Sequence, residues 1–297
     1  MKIKFFSAFF VLAFTFLLGC SNDANTQDTM GRLRVQLTDA PFPYDLISEA
    51  NVTIFKIDAR YKGESMEDSD NNQEESNSFI VLMEEERDFN LLNLTNGITE
   101  TLVDMDVPAG SYDLIRIYVK GVNVILNDGR TFDLKVPSGE QTGIKVFVKP
   151  SINVSGEISS DLLLDFDVSR SFIPKGNINN ISGITGFNFK PVIKASNMSF
   201  AGTLSGLVSS TMMENEEIII IGLENATVSV FETGNLEEEP IRTAATDAEG
   251  NYTIMGLMAG SYDVTVELDE YETQTAEEVT IVAGNNIIQD FDLVPVP

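Results

Sequence analysis

Two carboxylates two residues apart, in Leu164-Asp165-Phe166-Asp167-Val168, are the pair in this chain best spaced to do chemistry. On an extended strand alternate side chains share a face, which sets Asp165 and Asp167 about 7 Å apart. That separation suits a hard cation such as Ca²⁺, or an acid pair of the glycosidase kind. A plainer arrangement competes with both and is the one expected: a solvent-facing polar stripe, with Arg170 a little further on as its neutraliser. The chain also narrows its chemistry by what it lacks. It has no histidine, no tryptophan and one cysteine, Cys20, which removes Ser-His-Asp and Cys-His catalysis, His-ligated zinc and structural disulfides. Any enzyme here works with carboxylates, lysine, tyrosine or hydroxyls.

Other segments offer contacts rather than catalysis. Pro41-Phe42-Pro43-Tyr44 cannot pair as an interior strand. Its rings, Phe42 and Tyr44, are either an aromatic platform for a glycan or peptide or a plug at one end of a sandwich, the second being favoured. Ser138-Gly139-Glu140-Gln141-Thr142-Gly143 is rich in hydrogen-bonding groups, with Ser138, Glu140 and Gln141 as ligand candidates, yet reads equally as a hairpin connection. Asp68-Ser69-Asp70-Asn71-Asn72 imitates the start of a calcium loop but has Gln73 where glycine belongs and Phe79 where glutamate belongs. Asp39, ahead of Ala40-Pro41, is expected to order its own turn.

The N-terminus carries an address. Lys2 and Lys4 precede an apolar run that reaches Leu18 without further charge and closes on Leu17-Leu18-Gly19-Cys20. A basic region, an apolar core and a small residue before the cut define a secretory signal. The tetrapeptide resembles a bacterial lipobox, in which the cysteine becomes the lipidated first residue. Residues 1–19 are therefore expected to be a lipoprotein signal peptide, with Cys20 and a small polar tether following to residue 30. The implied place is the bacterial cell envelope, lipid-anchored to a membrane, the outer one.

Charge divides the rest. The formal net charge is −27. Residues 31–196 hold 25 acids and 16 bases, whereas residues 197–297 hold 19 acids and one base, Arg242. A shift this large marks a domain boundary near Lys194–Asn197. A surface so acidic repels nucleic acid and anionic headgroups, so the lipid is the expected membrane contact and no nucleic-acid partner is expected.

Both segments read as β-structure. Leu33, Val35 and Leu37 alternate on one face of residues 31–38, and Val52, Ile54 and Lys56 oppose Phe55 and Ile57 in the next run. Strands are also expected at 79–83, 112–119, 122–126, 131–136, 144–149, 162–168 and 187–194. Asp128-Gly129 signals a hairpin, and Asn90–Leu94 a single helical turn ended by Asn96-Gly97. In the second segment, runs at 202–209, 226–232, 241–246, 252–255, 262–268, 278–282 and 287–293 have the spacing of a sandwich. Asp247-Ala248-Glu249-Gly250 is a turn with its acid first and its glycine last. Ile218-Ile219-Ile220-Ile221, preceded by Glu214-Asn215-Glu216-Glu217, reads as an extra strand with acids as gatekeepers if it forms an exposed edge. Ala-Gly-Ser-Tyr-Asp occurs twice, at 109–113 and 259–263, as one turn used twice with the tyrosine packed inward.

These residues carry two resemblances. Residues 31–195 resemble the domain-of-unknown-function family 4382 of bacterial lipoproteins. The matching motifs are Leu37-Thr-Asp-Ala-Pro41, Leu91-Leu-Asn-Leu-Thr-Asn-Gly97, Val107-Pro-Ala-Gly-Ser-Tyr112, Val136-Pro-Ser-Gly-Glu-Gln-Thr-Gly-Ile144, Leu163-Leu-Asp-Phe-Asp167 and Lys190-Pro-Val-Ile193. Residues 201–297 resemble the carboxypeptidase regulatory-like, transthyretin-type β-sandwich, through Gly206-Leu-Val208, Thr246-Asp-Ala-Glu-Gly-Asn-Tyr252 and Gly256-Leu-Met-Ala-Gly-Ser-Tyr262. They depart from it in the insertion Ser209–Asn225. Neither resemblance implies a catalytic residue.

The expectation is an all-β protein of two β-sandwich domains in tandem, at 31–196 and 197–297, behind a signal peptide and tether. Its expected role is a non-catalytic binding or structural module for an unidentified protein or glycan. A glycan-binding accessory in polysaccharide capture and a carboxylate-dependent hydrolase are the alternatives. No cofactor is expected, calcium at Asp165 and Asp167 being the one candidate.

Overall fold

The structure, a computed structural model, describes residues 30–40, 46–62, 78–136, 140–156, 159–178, 180–214 and 217–296. Cys20, Phe42, Tyr44, Ser138 and the calcium-loop imitation at 68–72 lie outside them. The described chain forms two β bodies joined at Met198–Phe200.

The first body comprises β1 (Met30–Ala40), β2 (Ile47–Lys62), β3 (Ser78–Met83), β4 (Arg87–Asn90), β5 (Glu100–Pro108), β6 (Gly110–Leu126), β7 (Thr131–Leu134), β8 (Ile144–Val154), β9 (Ser160–Asp167), β10 (Phe172–Gly176), β11 (Ile184–Phe189) and β12 (Ile193–Asn197). Ten of them make a sheet ordered β3-β2-β6-β8-β12-β9-β1-β5, with β4 on β2 and β7 on β6; β10 and β11 pair separately. Ile54 and Ile57 of β2, Ile115 and Ile117 of β6, and Leu33, Leu162 and Leu164 of β1 and β9 belong to one buried cluster. The sheet therefore closes over itself around a single core.

The alternation in residues 31–38 holds: Leu33, Val35 and Leu37 are fully buried. In β2 the expected opposition of Ile54 and Ile57 fails, because a bulge between Ile54 and Lys56 turns both inward. The runs at 112–119 and 122–126 are one continuous strand, bent where Gly121 takes a positive φ. The run at 187–194 splits across two sheets at Lys190-Pro191, since proline cannot donate to a ladder. The 138–143 segment joins β7 to β8, which pair with β6 and not with each other, so it is not a hairpin. The Asp128-Gly129 hairpin forms, and Asn90 caps a 3-10 turn at Leu91–Leu94. Strands β4, β5 and β10 were not expected.

The second body comprises β13 (Ala201–Glu214), β14 (Glu217–Gly222), β15 (Thr227–Glu232), β16 (Arg242–Ala245), β17 (Asn251–Met258), β18 (Gly260–Glu267), β19 (Gln274–Ile281), β20 (Asn286–Ile288) and β21 (Phe291–Asp292). One sheet runs β14-β13-β17, with β20 and β21 also on β13, and the other β16-β15-β18-β19. Leu204, Val208, Val228, Val230, Tyr252, Val264, Val266 and Phe291 fill the space between them. Asp247 accepts from the Glu249 and Asn251 amides, as the turn chemistry requires. The repeated Ala-Gly-Ser-Tyr-Asp segment places Tyr112 and Tyr262 alike. Each hydroxyl donates to the carbonyl four residues earlier, Pro108 at 2.7 Å and Met258 at 2.8 Å. Tyr112 is fully buried and Tyr262 half-buried.

Candidate functional site

The acid pair lies where the two bodies meet. Along β9, Leu162, Leu164 and Phe166 point into the first core, so Leu163, Asp165 and Asp167 point the other way. On the adjacent β12, Lys194 and Ser196 stand opposite Asp165 and Leu163 and share their face. The second body covers that face. Asp165 is 3% exposed and Asp167 6%. The solvent-facing stripe expected from the sequence is thus a correction: the face is polar because it meets another domain.

Each acid has its own partner. Asp165 Oδ2 takes Nη1 of Arg242, the lone base of the second segment, in a pair buried on both sides. Nη2 of Arg242 donates to Ser196 Oγ at 2.8 Å, and that hydroxyl donates to the Gly256 carbonyl at 2.8 Å. Burial lowers the Arg242 guanidinium to about 10, so it remains charged at neutral pH. Asp167 turns inward along its own chain. Its Oδ1 accepts from the Arg170 amide at 3.0 Å and from Ser169 Oγ at 2.7 Å, capping the short helix α1 (Val168–Ser171). Arg170 does neutralise Asp167, with Nε 3.4 Å from Oδ2. It also reaches across the joint to the Pro240 carbonyl at 3.0 Å and to Glu239. Lys194 donates to the Ile241 carbonyl at 2.5 Å, and burial, reinforced by Arg170, lowers its pKa.

Close approach completes the joint. Asn96 donates to Asp247 Oδ2 and to the Asn251 carbonyl. Beside it, Gly97 has φ +82°, and a Cβ there would lie 2.7 Å from Thr253 Cγ2. From the opposite side, Gly256 has φ +73°, and its Cβ would lie 2.9 Å from Ser196 Oγ. Only glycine combines that backbone with that proximity. A cleft of about 290 Å³ remains along one edge, bordered by Asp167, Arg170, Lys194 and Glu239. A smaller cavity of about 20 Å³ is bordered by Thr38, Asn96, Asp165 and Arg242.

Chemically this is a fastening. Asp165 and Asp167 border the same cleft but are turned to different cations, Arg242 and Arg170. Among the described residues no group of three or more Cys, Asp or Glu side chains is arranged to hold a metal. Asp39 Oδ1 accepts from the Val168 amide, tying β1 to the start of α1; the turn it is expected to order, at 41–45, lies outside the described residues. Glu140 and Gln141 are exposed on the turn before β8. Arg242 is a site residue that the motifs do not point to, and its isolation among 19 acids is the signal in the sequence.

A family model described as "Domain of unknown function (DUF4382)" matches residues 30–191. The chain belongs to that family. A carboxypeptidase regulatory-like domain matches residues 204–294. β12 lies beyond the DUF4382 match yet completes the sheet between β8 and β9, and it supplies Lys194 and Ser196 to the joint. Three of the DUF4382 domain's motifs also arrive there: Thr38, the Asn96-Gly97 pair and Asp165 border one cavity. No curated protein matches the chain. Among solved structures, a cohesin–X-dockerin complex from Acetivibrio cellulolyticus is 19% identical, with TM-score 0.23, covering 32% of this chain and 58% of that one. A DUF3823 family protein from Parabacteroides merdae is 14% identical, with TM-score 0.22, covering 32% and 46%. The minor pilin GBS52 of Streptococcus agalactiae is 12% identical, with TM-score 0.25, covering 89% and 96%. The chain thus spans about half the length of the first two. At these scores none of the three bears on function.

Proposed function

We propose that this DUF4382 protein is a non-catalytic envelope lipoprotein whose two β bodies are fastened into one binding unit and held at a membrane by lipid on Cys20. The observation that carries the non-catalytic part is the fate of the acid pair. A hydrolase needs two acids converging on a substrate, whereas Asp165 is engaged by Arg242 and Asp167 by α1 and Arg170. The anchor rests on Leu17-Leu18-Gly19-Cys20. Among the described residues no helix is long and apolar enough to cross a membrane.

Two measurements test this. Fatty-acid labelling is expected in the wild type and absent in Cys20→Ser, and a variant that stays with membranes in high salt overturns the anchor. Asp165→Asn is expected to lower the melting temperature, and the wild type to be inert on a panel of chromogenic glycosides. Hydrolysis that Asp165→Asn abolishes without moving the melt overturns the non-catalytic reading.

A further inference from the structure

The binding unit described above has a surface the joint does not use, the ribbon formed by the end of β13 and β14. Past Ser209 β13 pairs as a strand only with β14, although Ser210 Oγ still donates to the Leu293 carbonyl and Thr211 Oγ1 to Asp292, and β14 pairs with nothing on its outer side among the described residues. The register sets Met213 opposite Ile218 and Thr211 opposite Ile220, which puts those side chains on one face. Met213 is 78% exposed, Ile218 72% and Ile220 65%. The other face shows Met212 and Ile221, both exposed. A two-stranded ribbon is marginal in water, and a cluster of exposed apolar side chains along a free strand edge is the chemistry of an interaction surface.

Charge decides what can cover it. Residues 211–224 contain Glu214, Glu216, Glu217 and Glu224 and no base. The whole segment 197–297 has 19 acids, and its one base, Arg242, is buried in the joint. A second copy of this body would bring acids against acids, and so would an anionic membrane surface. We propose that the β13–β14 ribbon is a docking arm for a cationic polypeptide that adds an extended strand to the outer edge of β14. Main-chain hydrogen bonds to residues 217–222 would fix the register. Apolar residues alternating along the incoming strand would cover Met213, Ile218 and Ile220, and its lysines or arginines would meet the exposed Glu217 and Glu224. The same acids that discourage self-pairing thereby select the partner.

The proposal rests on the binding-module reading and names its partner class. Its test uses the full-length protein in detergent and a fluorescent peptide of alternating lysine and valine. Alternating glutamate-valine and lysine-serine peptides serve as controls. Fluorescence anisotropy should show the lysine-valine peptide binding at least about tenfold tighter than either control. Ile218→Ser/Ile220→Ser should weaken it by at least about tenfold with the melting temperature unchanged, and bound peptide should slow hydrogen exchange at residues 217–222. Equal binding of the lysine-serine peptide overturns the proposal as diffuse attraction. So does a double variant that binds as the wild type does, protection elsewhere, or self-association that the double variant abolishes. Neither lipid nor hydrolysis enters these readouts, so their failure leaves the anchored, non-catalytic reading intact.

Discussion

The two bodies treat charge in opposite ways. The first pairs its acids with bases across its own strands: Arg116 with Asp58, Arg60 and Lys62 with Asp113, Arg87 with Glu100, Arg32 with Asp104. The second has one base and sends it out of its own surface, to Asp165 of the first. The first body thus meets much of its negative charge internally, although its acids still outnumber its bases. The second, with 19 acids and one base, leaves most of its acids without a cation of their own and uses its only cation as the bolt of the joint. Removing equivalent-looking ion pairs from the two should therefore do different things.

The largest effect is expected at the bolt. Arg242→Met leaves Asp165 buried without its counter-charge, at a cost of about 3–5 kcal/mol. Calorimetry should show one transition becoming two as the bodies uncouple; a single, unshifted transition breaks the comparison. Arg116→Met is the matched change inside the first body. Asp58 is almost fully buried and keeps the Tyr118 hydroxyl at 3.0 Å, so the loss should be about 3 kcal/mol with the transition still single. Splitting there would mean the uncoupling is not special to Arg242.

Acid sharpens the contrast further. Asp113 is held below the usual carboxylate range chiefly by its hydrogen bond from Arg60. A depressed carboxylate contributes stability above its unfolded pKa, about 3.9, and loses it as pH falls through the folded value. The first body should hold its stability from pH 7 to about 5 and weaken below about 4. Between pH 7 and about 4.5 the second should gain several degrees, as protonation relieves its self-repulsion. Monovalent salt at neutral pH should act in the same direction. Exchange rates in peptides from each body read this directly, and a parallel response in both defeats it.

The smallest effect compares the repeated tyrosines. Both hydroxyls bond the carbonyl four residues back, but Tyr112 is fully buried and Tyr262 half-buried. Tyr112→Phe should cost about 1 kcal/mol and Tyr262→Phe about half that, since an unmet buried carbonyl is the costlier loss. Equal costs by chemical denaturation would mean burial does not separate the two turns.

Local pattern made much of this fold legible. Alternation in residues 31–38, the Asp128-Gly129 turn and the Asp247–Gly250 turn depend on a few neighbouring residues, and all three formed. Ile218–Ile221 was legible as an extra strand because four consecutive β-branched residues suit one; that it lies at an edge came from the pairing. The bulge that turns Ile57 inward, the join across Gly121 and the break at Lys190-Pro191 were not, because each depends on which strand lies alongside. Asp165 was noticed for its spacing from Asp167, and misplaced on a solvent-facing stripe for want of its neighbour. Leu163, between Leu162 and Leu164, held the missing hint, since three consecutive apolar residues mark a strand covered on both faces.

By itself, then, the sequence determined composition-level and nearest-neighbour properties: an all-β chain, a charge step near residue 196, an absent imidazole and a run of acids ahead of Ile218. These follow from side-chain chemistry and a period of two, which no distant contact can alter. Only the tertiary structure decided that Arg242 meets Asp165, that Gly97 and Gly256 close one surface, and that the acid pair is divided between two cations. The Arg242–Asp165 and Gly97–Thr253 contacts join residues 77 or more positions apart, and their energies exist only once the second body has excluded water from the face of β9.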